Sequence, residues 1–523
     1  MAASAARKGG FDASRSAAGR RNPWLIVGII SIANVSLNHI AGSLSVSLDE
    51  ATWVLTSYLV ANAIVIPISG WLSDVIGRKR YYMISVGLFA AASLACGMAP
   101  NIQFLVIARI LQGIGGGGLA PSEQSMLADT FPPEKRGQAF GAYAFVIIVA
   151  PVLGPTIGGW VTDNYSWHWI FLINVPVGLL SLFLVGTFVD EPKVLVDERE
   201  ARLKRGLSVD WIGFVLVAAG LGCLEITLDR GEREDWFSST MITSFAVIAA
   251  VSLVSLVAWE LSRKDPIVNI RLLGNRNFAA VVTVMFMTGV ILFGTTQLIP
   301  QMLQEVMGYT ATNAGLAMTT GGLGTVLAVA VVGRLAGKVD VRWLLGPALL
   351  VQAAALWNLS RLNADIGFWN AATARLFQAV ALPFLFVPIT TVAYAGLKPD
   401  QTNDASALLN VFRNLGGTFG ISLSQALLSD RSQIHQAHLV EHLQPLAPNY
   451  PGGLAAIEQA LRSIGVSAAQ SSQIALAQLY KTTVRQATML GYLDVFHTLM
   501  FIVLATTPVV LLLKSGKGGP GAA

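Results

Sequence analysis

Arg109, Glu123, Glu225, Asp494 and His39 each stand within or at the end of a long apolar run, and charge in such surroundings is the feature most suggestive of chemistry in these 523 residues. In hydrocarbon an ionised side chain costs on the order of 2.5 to 3.5 kcal/mol, so Arg109 is expected to turn away from lipid. A carboxylate in a partly dehydrated cavity can hold or release a proton near neutral pH, and a nearby arginine would draw its pKa down again, so substrate and proton could compete for one site. Glu123 either carries such a proton or pairs with cations of the adjoining loop. Asp494 either couples or caps the last helix, Glu225 reads as interfacial, and His39 is a proton relay or a satisfied structural histidine.

A second constellation is the run from Gly70 to Arg80, Gly-Trp-Leu-Ser-Asp-Val-Ile-Gly-Arg-Lys-Arg. Gly70 and Gly77 let the backbone reverse, Asp74 offers an acceptor to a helix terminus or a cation, and Arg78, Lys79 and Arg80 anchor the turn on the cytoplasmic side. Such a turn could also do no more than fix topology. Further on, Gly154, Gly158 and Gly159 make a flat strip that lets a helix approach closely, and Pro155 removes a backbone bond and invites a bend. A moving gate and plain close packing would both use that strip.

The elements that must position these groups are helices in a bilayer. Hydrophobic residues make up 54% of the chain and charged ones only 12%, with a mean hydropathy of +0.60, more apolar side chain than a soluble protein of this size can bury. Apolar runs of about 20 residues, the length that spans hydrocarbon as helix, recur fourteen times. They fall at 24–44, 53–72, 82–98, 102–127, 139–160, 169–189, 211–228, 241–261, 278–298, 314–332, 344–359, 368–395, 408–428 and 492–513. With the N-terminus inside, roughly 25 of the 35 Lys and Arg residues lie in cytoplasmic segments, so both termini are expected there. The basic tail before Trp24 resembles a signal peptide, but the apolar run after it is too long and lacks a clear cleavage site, which predicts an uncleaved first helix.

The formal charge of +5 makes no case for nucleic acid once its cations are seen to follow membrane topology. Cys96 and Cys223 both lie in apolar spans, which argues against a disulfide framework or a metal cluster. Gly113 to Gly118 formally fits G-x-G-x-x-G, yet it lies within a span with no strand before it, so a dinucleotide site is rejected. A Walker sequence, a His-Glu-x-x-His pair and a Gly-x-Ser-x-Gly elbow are all missing, leaving an ion gradient as the energy source and no expected cofactor, metal or enzymatic activity.

The organisation is set by charge and repetition. A cytoplasmic tail (1–22) precedes a six-helix bundle (23–190), a linker (191–210), an extra two-helix hairpin (211–262), a second linker (263–277), another six-helix bundle (278–513) and a tail (514–523). Within the second bundle, 430–491 reads as an outer-face loop with amphipathic helices, either packing on the outer mouth or docking a partner. The two bundles look duplicated. Gly70 to Arg80 is echoed by Gly333 to Arg342, Arg109-Ile-Leu-Gln112 by Arg375-Leu-Phe-Gln378, and Pro133-Glu-Lys135 by Pro399-Asp-Gln401, at nearly constant offset.

These residues resemble the major facilitator superfamily, specifically its fourteen-helix EmrB/QacA-like branch of drug:proton antiporters. Gly70, Leu72, Asp74, Gly77 and Arg78 match the superfamily's loop motif, and Arg109, Gln112 and Gly113 its fourth-helix motif. Gly154, Pro155, Gly158 and Gly159 match the antiporter motif, and the residues from Trp169 to Gly178 match the next segment of this branch. The resemblance implies an all-α polytopic membrane protein of the major facilitator fold with fourteen transmembrane helices, in which Arg109 takes part in proton transfer or fastens its helix. It implies an inner-membrane antiporter exporting small hydrophobic or amphipathic compounds by alternating access. The alternatives are an uptake or dedicated-metabolite carrier and, much more remotely, an intramembrane enzyme. Phe384, Phe386 and Tyr394 would contribute apolar cavity walls, and a periplasmic adaptor with an outer-membrane channel is a further possible partnership. One departure matters: the branch commonly carries an aspartate in helix one, whereas this chain has no acidic residue from Trp24 to Leu44.

Overall fold

The computed structural model describes residues 39–189, 210–263, 266–336, 338–394, 401–441 and 450–513, with a few isolated positions between them. Most of the first expected span, the basic tails, much of the 191–210 linker, and Pro399 and Asp400 lie outside the described residues. Among these residues the structure is helical, without a strand beyond one isolated bridge between Ala336 and Val339.

The first half comprises α1 (Leu48–Ile76), α2 (Arg78–Gly97), α3 (Ile102–Gly117), α4 (Leu119–Thr130), α5 (Pro133–Asn164), α6 (His168–Leu172) and α7 (Asn174–Phe188). The extra hairpin is α8 (Trp211–Arg230) and α9 (Thr240–Ser262). The second half comprises α10 (Arg276–Glu305), α11 (Ala311–Leu335), α12 (Val341–Leu359), α13 (Phe368–Ala393), α14 (Thr402–Glu441), α15 (Tyr450–Ser463) and α16 (Ala468–Thr506). Thirteen of the fourteen apolar runs fall on these helices. Nine described segments are long and apolar enough to cross a membrane, and α2, α5, α12 and the first part of α14 carry the other expected spans.

Local chemistry sets the helix starts. Ser47 and Glu50 close a reciprocal cap on α1, Asn101 caps α3 at 2.9 Å, and Thr310 caps α11 at 3.2 Å. At the base of the hairpin, Asp210 caps α8 through Gly213 at 3.0 Å and accepts from the Trp259 indole of α9 at 3.0 Å. Burial alone would raise the Asp210 pKa, but these bonds and Arg263 outweigh it and hold the carboxyl below its usual range.

The outer segment departs from expectation. The chain does not break into a loop near Asp430: α14 runs unbroken for 40 residues and α16 for 39. From 421 to 441 there is neither glycine nor proline, so a change to polar side chains alters the helix's surroundings without ending it. Gly491 lets α16 close on α14, since a Cβ there would sit 2.5 Å from the Ser432 hydroxyl. Only α15 matches the expected separate amphipathic helix.

The halves meet along two seams. On one, α1 packs against α14; on the other, α5 packs against α11 and α13, and α8 lies alongside the first, against α1 and α14.

Candidate functional site

The turn between α1 and α2 sits where the halves touch. Gly77 adopts φ +100°, a conformation that disfavours other residues. Asp74 accepts a hydrogen bond from the Asn403 amide of α14, across the seam. Gly70 makes the approach possible, since a Cβ there would lie 3.3 Å from both the Asn403 carbonyl and the Asp404 carboxylate. Asp404 is itself held by Asn269 at 3.0 Å. Arg78 is buried and pairs with Asp129 of α4. On the second seam Gly137 of α5 meets Ala336, with the Ala336 carbonyl 2.8 Å from where a Cβ would stand. At the end of the bundle that carries the 70–80 turn, the two halves are therefore in contact on both seams.

A polar and aromatic layer lies behind this contact. Gln124 of α4 accepts from Asn410 of α14 at 2.7 Å, and the Tyr394 hydroxyl, 3.5 Å from the same oxygen, bonds Ser406 at 2.8 Å. Phe140 stacks on Tyr394 at 5.5 Å, and Tyr143 lies 6.2 Å from Phe386. Arg413 is buried within α14 and hydrogen-bonds Tyr143. Phe386 and Tyr394, expected as cavity wall, are thus buried in the seam. Gln124, Asn403, Asp404 and Arg413 are not among the residues that sequence reasoning singles out. Arg413 carries a usable signal, a cation in the 408–428 apolar run, whereas the amides carry none.

The proton-coupling candidates are not gathered at one place. Glu123, half-buried on α4, accepts from the Tyr82 hydroxyl at 2.9 Å; Arg78, one of the cations of the 70–80 turn, is paired with Asp129. Asp494 caps nothing, because it lies inside α16, where it meets His435 at 2.9 Å and Arg431 at 4.0 Å in the part of α14 beyond the membrane run. His39 is exposed on a short helical stretch before α1. Glu225 is buried, with Thr418 of α14 as hydrogen-bond donor at 2.8 Å.

Arg109 is fully buried and turned into its own half. It donates to the Val54 carbonyl and to Gln112, both at 2.8 Å, and lies over the Tyr58 ring at 4.2 Å. Gln112 passes the connection to Ser93 at 2.9 Å, which Asn174 also reaches at 2.9 Å. Gly113 lets α3 press on α1, with the Tyr58 carbonyl 2.6 Å from where a Cβ would be. The next glycines along α3 likewise meet neighbouring helices, which accounts for the spurious nucleotide pattern. Helix α5 continues through the antiporter motif; Gly154 and Gly158 are buried, while the surroundings of Pro155 and Gly159 are not among those described. Apart from the seams, an apolar cleft of about 660 Å³ opens beside α1, lined by residues including Val60, Ile64, Ile110 and Phe214.

Two helical halves meeting at a motif-bearing turn are the architecture of a secondary transporter. The chain belongs to the Major Facilitator Superfamily, whose family model matches residues 24–421. It is 40% identical over 419 residues to the multidrug export protein EmrB of Haemophilus influenzae, covering 80% of this chain and 81% of that protein. It is 36% identical over 497 residues to EmrB of Escherichia coli, covering 94% of each. The fatty acid resistance protein FarB of Neisseria gonorrhoeae is 35% identical over 495 residues, again 94% of each. Among solved structures, the proton:xylose symporter XylE shares the fold with a TM-score of 0.54 and 17% identity, over 80% of this chain and 89% of that one.

Proposed function

We propose that this protein is a proton-driven multidrug exporter of small hydrophobic or amphipathic compounds, working by alternating access between its halves. The observation that carries the reading is the contact of the halves at the turn-bearing end, where Asp74 meets Asn403 and Gly70 admits α14. With that end on the cytoplasmic face, as the cation distribution suggests, the bundle is closed to the cytoplasm. Loading from inside then requires the Asp74–Asn403 bond and the Gln124–Asn410 bond to break. The EmrB relatives, identical at 36% and 40% and named for multidrug export, support export of several drugs.

Glu123 is the carboxylate best suited to exchange the proton. It is half-buried and held by a neutral hydroxyl rather than a cation, so protonation leaves no arginine stranded. Arg109 acts as a fastener of α3 to α1 and α2, and Gly154, Pro155, Gly158 and Gly159 form a seam that bends. At 1.5 Å per residue α14 measures about 60 Å, twice the hydrocarbon thickness, so its outer part and α16 project from the exported side. That projection suits docking of a periplasmic adaptor, which co-purification, lost on deleting 450–463, would test.

Everted vesicles energised by a proton gradient, with a fluorescent lipophilic dye supplied in the outer medium, give the direct test. Dye movement that stops on collapsing the proton gradient is expected. Flux that persists without any gradient overturns the reading.

A further inference from the structure

The α8–α9 hairpin is an addition to the twofold plan, yet α8 presents an ordered stripe to the first seam. Gly222, Glu225 and Asp229 recur at spacings of three and four, which places them on one face of the helix. Gly222 brings α8 against α1, where a Cβ would lie 3.3 Å from Ile64 and 3.6 Å from Val60. One turn beyond Glu225, Asp229 accepts from the Thr56 hydroxyl of α1. Arg230 adds a bond to Thr52 at 3.4 Å and lies over the Trp53 ring at 4.6 Å. All of these grip the first half. Glu225, a residue only 3% exposed, grips the other: its carboxylate accepts from Thr418 of α14 at 2.8 Å.

The partner of Glu225 also has somewhere else to go. The Thr418 hydroxyl stands 3.3 Å from the Asn414 carbonyl one turn back on its own helix, so it can leave Glu225 and stay bonded. Nearby, Asn414 reaches Asn62 of α1 at 3.5 Å, which puts the same turn of α14 directly on the seam.

We infer that Glu225 and Thr418 form a releasable clasp across the α1–α14 seam, with the hairpin carried by the first half and the second half let go when the seam parts at this level. They are positioning residues that set how much of the protein has this part of the seam closed, and neither touches a transported compound. The inference rests on the alternating-access reading above.

Distances measured by pulsed electron resonance test it in the full-length protein in liposomes. Spin labels go on the exposed positions Ser238, at the hairpin tip, and Gln433, on the outer part of α14, in a Cys96→Ser, Cys223→Ser background. Thr418→Val and Glu225→Ala are expected to raise the longer-distance population severalfold. Thr418→Ser and Glu225→Gln, which keep the hydrogen bond, should restore the starting distribution, and the disruptive pair should change transport Vmax while KM holds. The clasp is overturned if Thr418→Val and Glu225→Ala leave the distances as they were, or if the conservative variants shift them equally. Because distance is read without flux, absent dye export with a responsive clasp counts against the export reading alone.

Discussion

The two halves repeat one buried device and differ in another. In the first, Arg109 bonds Gln112, which bonds Ser93; in the second, Arg375 bonds Gln378, which bonds Thr295. Both arginines are almost wholly buried and both chains of contacts stay inside their own half. The turns after the second span of each half behave otherwise. Asp74 reaches across the seam to Asn403, whereas Arg342 in the echoed turn donates to the Leu513 carbonyl near the end of its own half. Duplication preserved the fastener, while the two turns meet the opposite half by different means, the first through a latch, the Asp74–Asn403 hydrogen bond, and the second through close packing of Ala336 on Gly137.

The largest expected effect falls on the shared device. Arg109→Ala or Arg375→Ala strands a glutamine network in the bundle interior, and each should cost about 3 kcal/mol of stability, read as a lower melting midpoint in detergent. Equal losses sustain the likeness of the halves. An Arg109→Lys protein that melts normally yet loses proton-coupled export would break it, by giving Arg109 a role that Arg375 lacks.

Next comes the latch. Asp74→Asn removes a charge-assisted bond worth roughly 2 kcal/mol, so dye export should fall at least tenfold with normal membrane insertion. Arg342→Ala, at the echoed turn, should change export by less than about threefold. Gly70→Val sharpens the same contrast with a smaller effect: its Cβ meets Asn403 and Asp404 at 3.3 Å, while one at Gly333 would find Gly137 no nearer than 3.6 Å. Export should drop about fivefold at Gly70 and hold for Gly333→Ala, both measured in vesicles. Unchanged transport in Asp74→Asn would take the turn out of the mechanism.

Much of this was legible in the sequence because hydrocarbon imposes severe rules. Length and polarity alone mark the spans, and a glycine such as Gly77 or Gly113 declares a backbone constraint before any neighbour is known. What the sequence could not supply was partners separated by hundreds of residues. Asp74 announces an acceptor but not that its donor is Asn403, and Glu123 announces a buried acid but not that Tyr82 rather than a cation holds it. The outer segment departs for a different reason: polarity ends a membrane span without ending a helix, and from 421 to 441 α14 meets neither glycine nor proline.

The hairpin stands outside the twofold relation, and the smallest expected effect lies at its base. Asp210 holds α8 to α9 through Gly213 and Trp259, and those bonds favour the ionised form in the folded protein. Above the ordinary aspartate pKa of about 3.9 both folded and unfolded chains are ionised and the contribution is complete. As pH falls, the unfolded chain takes up its proton first, and the stabilisation drains away until Asp210 itself is protonated at a lower pH. Asp210→Ala should therefore cost about 1 kcal/mol at pH 6, seen as faster backbone exchange at the start of α8, and the gap to the parent should narrow toward pH 3. A gap that stays constant over that range would mean that the cap acts through shape rather than charge.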